Sequence, residues 1–156
     1  MNRIHALMAF TVLAAGFARP APAAQSISIE DDSAWHLASA EVTRLVQLQD
    51  RESTQDCLPL QMTGSGLGSS SGPRLVTTSA KCWGSSAAPL WVVSQGAHPR
   101  VLMTDGGFTV DVTAGKTGEL PTLNVQYGNA GHCGIRVWKY DSRKSAYMLK
   151  QTIRCQ

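Results

Sequence analysis

From Cys57 to the C-terminus, short apolar runs alternate with clusters of turn-forming residues, and this rhythm confines the chain to an antiparallel β-fold. The runs are Leu58–Met62, Arg74–Ser79, Leu90–Ser94, Val101–Thr104, Phe108–Val112, Leu120–Tyr127, Ile135–Tyr140 and Ala146–Ile153. Between them lie TGSGLGSSSG, WGSSAAP, QGAHP, DGG, TAGKTGE, GNAGH and DSRKS, all rich in Gly, Ser, Asp or Pro. The eight runs predict a mainly β chain, an antiparallel meander arranged as a barrel, a sandwich or propeller-like blades. Asp105-Gly106-Gly107 carries the tightest hairpin signal. Ahead of the strands, residues 25–32 (QSISIEDD) read as a short arm. Trp35, Ala38, Val42, Leu45 and Val46 then recur at helical spacing, with Asp32 or Ser33 available as a cap, and predict one helix at about 33–50.

Residues 1–24 read as an export signal. Arg3 precedes an apolar run from Ala6 to Phe17, and Ala21-Pro22-Ala23-Ala24 supplies the small residues of a cleavage site. The run is shorter than the roughly 20 residues that span a bilayer. Cleavage after residue 24 of the 156 leaves 132, the size of one domain at 25–156, working in the periplasm or outside the cell. Losing Arg3 and Arg19 lowers Lys+Arg from 14 to 12 against 11 Asp+Glu, a net charge of about +1. No Lys/Arg run remains to track a phosphate backbone, so nucleic acid is not an expected partner.

Cys57, Cys82, Cys133 and Cys155 all lie in the mature part, and an even count in an exported chain of this size predicts two disulfides. Each would contribute about 2–4 kcal/mol. Strand parity in a single meander puts all four at one end of the sheet. Pairing Cys57 with Cys82 and Cys133 with Cys155 closes two hairpins and is preferred, although three connectivities are open. The pinned rim would carry the connections Trp83–Pro89, Asp105–Gly107 and Gly128–His132, leaving the loop at 63–72 free to move. A zinc site is not expected, because the chain has no C-x-x-C pair and the adjacent His132 and Cys133 point apart on a strand.

Catalytic sets are poorly represented. Three histidines remain after cleavage (His36, His98 and His132), and Gly64-Ser65-Gly66 sits in a low-complexity turn rather than a nucleophile elbow. It also lacks the Lys-Ser/Thr of a phosphate loop. Asp105, Asp111 and Asp141 read as turn and surface acids. The turn Thr113–Glu119 has one carboxylate and Lys116, too few oxygen donors for calcium. The expectation is therefore a non-enzyme with no metal and no cofactor. Trp91, Trp138, Tyr140 and Phe108 fall within strands and are assigned to the core. Trp83 and Tyr127 border the rim connections, where aromatic residues suit a contact surface.

The segment Leu75–Leu149 resembles small exported bacterial proteins of the β-propeller-like, FG-GAP-related kind. The likeness rests on Cys82-Trp83-Gly84, Pro89-Leu90-Trp91-Val92-Val93, Arg100-Val101-Leu102-Met103, Gly118-Glu119-Leu120-Pro121-Thr122-Leu123 and Arg136-Val137-Trp138-Lys139-Tyr140-Asp141 leading to Tyr147. Thr122 and Ser142 stand where such relatives carry an acid and a glycine, which removes any calcium role the resemblance suggests. Similar periplasmic proteins include inhibitors of lysozyme-like, peptidoglycan-cleaving enzymes and immunity proteins for secreted toxins. The resemblance thus implies a binding protein; the expectation is a monomeric domain that blocks a cell-wall hydrolase, with Trp83, Tyr127, Asn129 and His132 as the plug or its supports. The rival readings are a carbohydrate or small-ligand module, an unrecognised hydrolase, and a structural component of an envelope complex.

Overall fold

In the computed structural model, residues 24–79, 82–83, 87–129 and 132–155 are described. The expected export signal lies, but for Ala24, outside them. So do 84–86 and 130–131 within two of the expected rim connections.

Among the described residues, ten strands form two antiparallel sheets of five. One sheet is ordered β2 (Trp35–Leu37), β3 (Gln61–Thr63), β4 (Arg74–Thr77), β5 (Ala88–Val93) and β6 (Val101–Gly107). The other is ordered β1 (Gln25–Ser28), β7 (Thr109–Thr113), β8 (Thr122–Asn129), β9 (His132–Asp141) and β10 (Ala146–Arg154). The expected single meander is therefore two meanders joined at Phe108, where the chain leaves one sheet for the other. The eight expected strands correspond to β3–β10.

Alternation determines what lies between the sheets. In the second sheet, Ile27 pairs with Val110 and Val110 with Val125, and Val112 pairs with Leu123. In the first, Leu75 pairs with Val92 and Val92 with Met103. These side chains share one buried core with Ile29, Trp35, Leu67, Leu90 and Tyr147. Tyr147 meets Tyr140 edge-on at 5.6 Å and donates its hydroxyl to the Pro121 carbonyl at 3.0 Å, and burial pushes that hydroxyl's pKa far up.

The opposite face of the first sheet carries Val76, Trp91 and Val93, which a helix covers. That helix, α1 (Ala40–Gln49), starts where the Ser39 hydroxyl accepts the Val42 N–H at 3.2 Å. It buries Val42 and Val46 against Leu60, Val76 and Trp91. Asp50 ends it and caps the short α2 (Arg51–Thr54) by accepting the Ser53 N–H at 3.1 Å. The other Asp50 oxygen accepts the Trp91 indole N–H at 3.2 Å, which ties helix to sheet. No helix among the described residues is long and apolar enough to cross a membrane.

Four local expectations are corrected. The helix begins at Ala40, not near residue 33: Trp35 satisfies helical spacing but lies on β2, opposite Thr63. Its indole N–H donates to the Ser28 carbonyl at 3.1 Å, and core burial outweighs the local pattern. The expected arm holds β1, which pairs with β7 and buries Ile27. Asp105-Gly106-Gly107 is not a hairpin but the end of β6, since its glycines lie outside the positive-φ region. Gly107 serves proximity instead, because a Cβ there would come within 2.6 Å of the Gln126 carbonyl oxygen and closer still to Val125. Finally, the loop at 63–72 is anchored. Leu67 is fully buried, its N–H donates to the Pro73 carbonyl at 2.7 Å, and Gln95 donates to the carbonyls of Ser70 and Gly72.

Replacing Trp91 by Ala should destabilise the protein by about 3–5 kcal/mol in urea denaturation, since the helix loses its main sheet contact. A cost below about 1 kcal/mol would contradict this packing.

Candidate functional site

The expected rim residues separate on folding. Trp83 is only 9% exposed and packs against Phe108, ring centroids 6.2 Å apart, within the core between the sheets. It is not a projecting contact, because its large apolar ring is buried in the core. Tyr127, Asn129 and His132 do come together on the β8–β9 hairpin. Tyr127 lies opposite Gly134 and Asn129 opposite His132, the last pair before the turn.

Below that turn the sheets are joined through one carboxylate. Asp105 on β6, whose side chain is 8% exposed, faces Arg136 on β9 across the inter-sheet space. Arg136 Nη2 lies 2.7 Å from Asp105 Oδ1, and its Nε–H donates to Oδ2 at 3.0 Å, a forked charge-assisted contact. Arg136 also donates to the Gly106 carbonyl. Trp138, two residues along the same face, donates its indole N–H to Asp105 Oδ2 at 2.7 Å. The Arg136 side chain keeps 24% of its surface exposed, so water screens part of its charge.

Arg136 supports Tyr127 in turn. The guanidinium carbon stands 4.1 Å from the Tyr127 ring centroid, a cation–π contact. The ring needs the space that Gly134 leaves: a Cβ there would lie 2.6 Å from the Tyr127 hydroxyl oxygen and would collide with the Ile153 carbonyl. One residue beyond Gly134, Cys133 is bonded to Cys155, and the Cys155 N–H donates to the Cys133 carbonyl at 3.0 Å. The hairpin base is thus fixed by a disulfide on one side and by the Asp105–Arg136–Tyr127 stack on the other.

The expected second disulfide is absent. Cys57 and Cys82 are free thiols brought to the same place. Cys57 Sγ lies 3.9 Å from the Cys82 carbonyl oxygen and Cys82 Sγ 3.8 Å from that of Asp56, and the two thiols lie against each other without a covalent bond. Contacts lead from here to the hairpin: Trp83 follows Cys82 and packs on Phe108, whose N–H donates to the Gln126 carbonyl at 2.8 Å beside Tyr127. The strand-parity expectation that put all four cysteines at one end of a single sheet does not apply, because the strands divide between two sheets. The three histidines lie on different segments, His36 on β2, His98 in the β5–β6 loop and His132 on β9.

Asp105 and Arg136 are the site residues that sequence reasoning missed. Asp105 reads locally as a turn acid and Arg136 as the polar half of an alternating strand. Only the packing of β6 over β9 reveals them as partners. Comparison of the chain with protein-family models, curated proteins and solved structures finds no match.

The Cys82 side chain, which hydrogen-bonds Cys57, together with burial, raises the Cys57 thiol to about 11 from an ordinary value of 9.0. Below pH 9 the folded chain therefore holds less Cys57 thiolate than the unfolded chain, and alkylation, which needs thiolate, slows accordingly. Iodoacetamide labelling followed by mass spectrometry should show the rate rising steeply up to about pH 11, and Cys82→Ala should accelerate it at pH 8. Equal rates in both proteins would contradict the assignment of Cys82 as the main cause.

Proposed function

We propose that this chain is an exported binding domain that blocks a peptidoglycan-cleaving hydrolase with the tip of its β8–β9 hairpin, and that the two sheets form a β-sandwich scaffold behind it. The observation that carries the reading is the preorganised hairpin base. Cys133–Cys155, Gly134 and the Arg136–Tyr127 stack fix the strands that lead into the tip. A segment ordered before binding loses little conformational entropy on docking, and such preorganisation is how rigid inhibitors gain affinity. Tyr127 adds aromatic area with a polar end, the chemistry favoured at the centre of interfaces. The resemblance to exported FG-GAP-related proteins and the export signal read in the sequence point the same way.

Trp83 leaves the contact set, so the proposed contacts are Tyr127, Asn129 and His132. The oxidised mature protein is expected to inhibit at least one enzyme in a panel of muramidases and peptidoglycan amidases. Tyr127→Ala and His132→Ala should each weaken that inhibition about tenfold or more, with circular dichroism unchanged. Full hydrolase activity across the panel, with no enzyme co-purifying from the periplasm, would overturn the proposal. Glycan-array binding in that situation would favour the carbohydrate module instead.

A further inference from the structure

The near-neutral mature charge conceals a strong internal separation. Residues 132–156 carry Arg136, Lys139, Arg143, Lys144, Lys150 and Arg154 against Asp141 alone, a balance of +5. Residues 25–131 carry six Lys/Arg against ten Asp/Glu, a balance of −4. Nearly all the positive excess therefore lies on one supersecondary unit, the β9–β10 hairpin.

Folding leaves that charge available. Arg136 is committed to Asp105, and Asp141 accepts the backbone N–H groups of Arg143 and Lys144 in the turn. Lys139, Arg143, Lys144, Lys150 and Arg154 are exposed, and none forms a salt bridge among the described residues. They run from the disulfide end at Arg154, opposite Gly134, to the turn at 142–145, roughly 25 Å at the usual rise per residue. β10 is the edge of its sheet, and every residue from Leu149 to Arg154 is exposed. Leu149 and Ile153, 46% and 45% exposed, add aliphatic surface between the bases.

A protective role accounts for part of this pattern. Lysine at a bulge blunts an edge strand against unwanted pairing, and Lys150 sits where the β9–β10 register shifts between Leu149 and Gln151. It does not account for Lys139 on the inner strand β9, nor for Arg143 and Lys144 in the turn. We propose that the β9–β10 edge is a docking surface for the anionic phospholipid face of a membrane, against which the domain lies peripherally. The bases are spread along an edge rather than converging on a point, which suits a diffuse plane of phosphate charge better than a single acidic side chain. Basic residues interleaved with exposed aliphatics are the pattern of interfacial binding. The acidic remainder of the molecule would be repelled by the same plane, so the charge separation also sets the orientation.

The test is co-sedimentation of the full mature protein with vesicles. Equal phosphatidylglycerol and phosphatidylcholine should bind it, whereas phosphatidylcholine alone should not. Raising the salt to 1 M, where the screening length is about 3 Å, should release it. The pair Lys150→Glu and Arg154→Glu should reduce binding at least tenfold. Arg51→Glu with Lys116→Glu, an equal change in net charge at exposed sites outside the hairpin, should leave it within about twofold. Equal loss in the two double variants, equal binding to both vesicles, or binding confined to acidic proteins would overturn the proposal. The readout involves no hydrolase, so its failure is distinct from failure of the inhibitor reading.

Discussion

The Asp105 carboxylate is the polar joint where β6 of one sheet lies over β9 of the other. It receives the forked Arg136 guanidinium and the Trp138 indole N–H, so three donors from β9 converge on one nearly buried group of β6. A buried carboxylate costs free energy unless its oxygens are satisfied, and here both are. The same contacts impose register, because moving β9 by one residue would turn Arg136 and Trp138 to the other face of the sheet. Asp105, Arg136 and Trp138 thus specify how β6 lies over β9, and the Tyr127 stack is built on that arrangement.

The strands from Cys57 onward are legible in the sequence because each is a short apolar run bounded by residues with a physical reason to turn. The N-terminal third is less legible. Trp35 stands three residues before Ala38 and seven before Val42, a helical interval, yet its indole is claimed by the core and by the Ser28 carbonyl. The Ile27/Ile29 alternation is a strand signal too short to separate from an arm until β7 supplies a partner. Gly106-Gly107 misleads for a related reason: glycine permits both a tight turn and a close approach, and only the neighbouring Val125 and Gln126 decide between them.

The candidate site was visible in part. Tyr127, Asn129 and His132 fall on one hairpin because they flank a short Gly-containing turn between two strands, which is local information. Cys133 and Cys155 pair because they sit at the open end of the β9–β10 hairpin. Trp83 fails as a contact residue because nothing local distinguishes an aromatic that plugs a partner from one that plugs its own core. The Asp105–Arg136 pair, 31 positions apart and in different sheets, leaves no local trace. Sequence reasoning placed Tyr127, Asn129 and His132 on one hairpin and missed the Asp105–Arg136 pair beneath it.

A double-mutant cycle on Asp105→Asn and Arg136→Met, read by urea denaturation, tests this support most directly. If the carboxylate and guanidinium act as one joint, each single change strands the other partner, and the double change costs about 1–3 kcal/mol less than the sum of the two. Additivity within about 0.5 kcal/mol would show that carboxylate and guanidinium do not act as one joint between β6 and β9 and do not organise the hairpin.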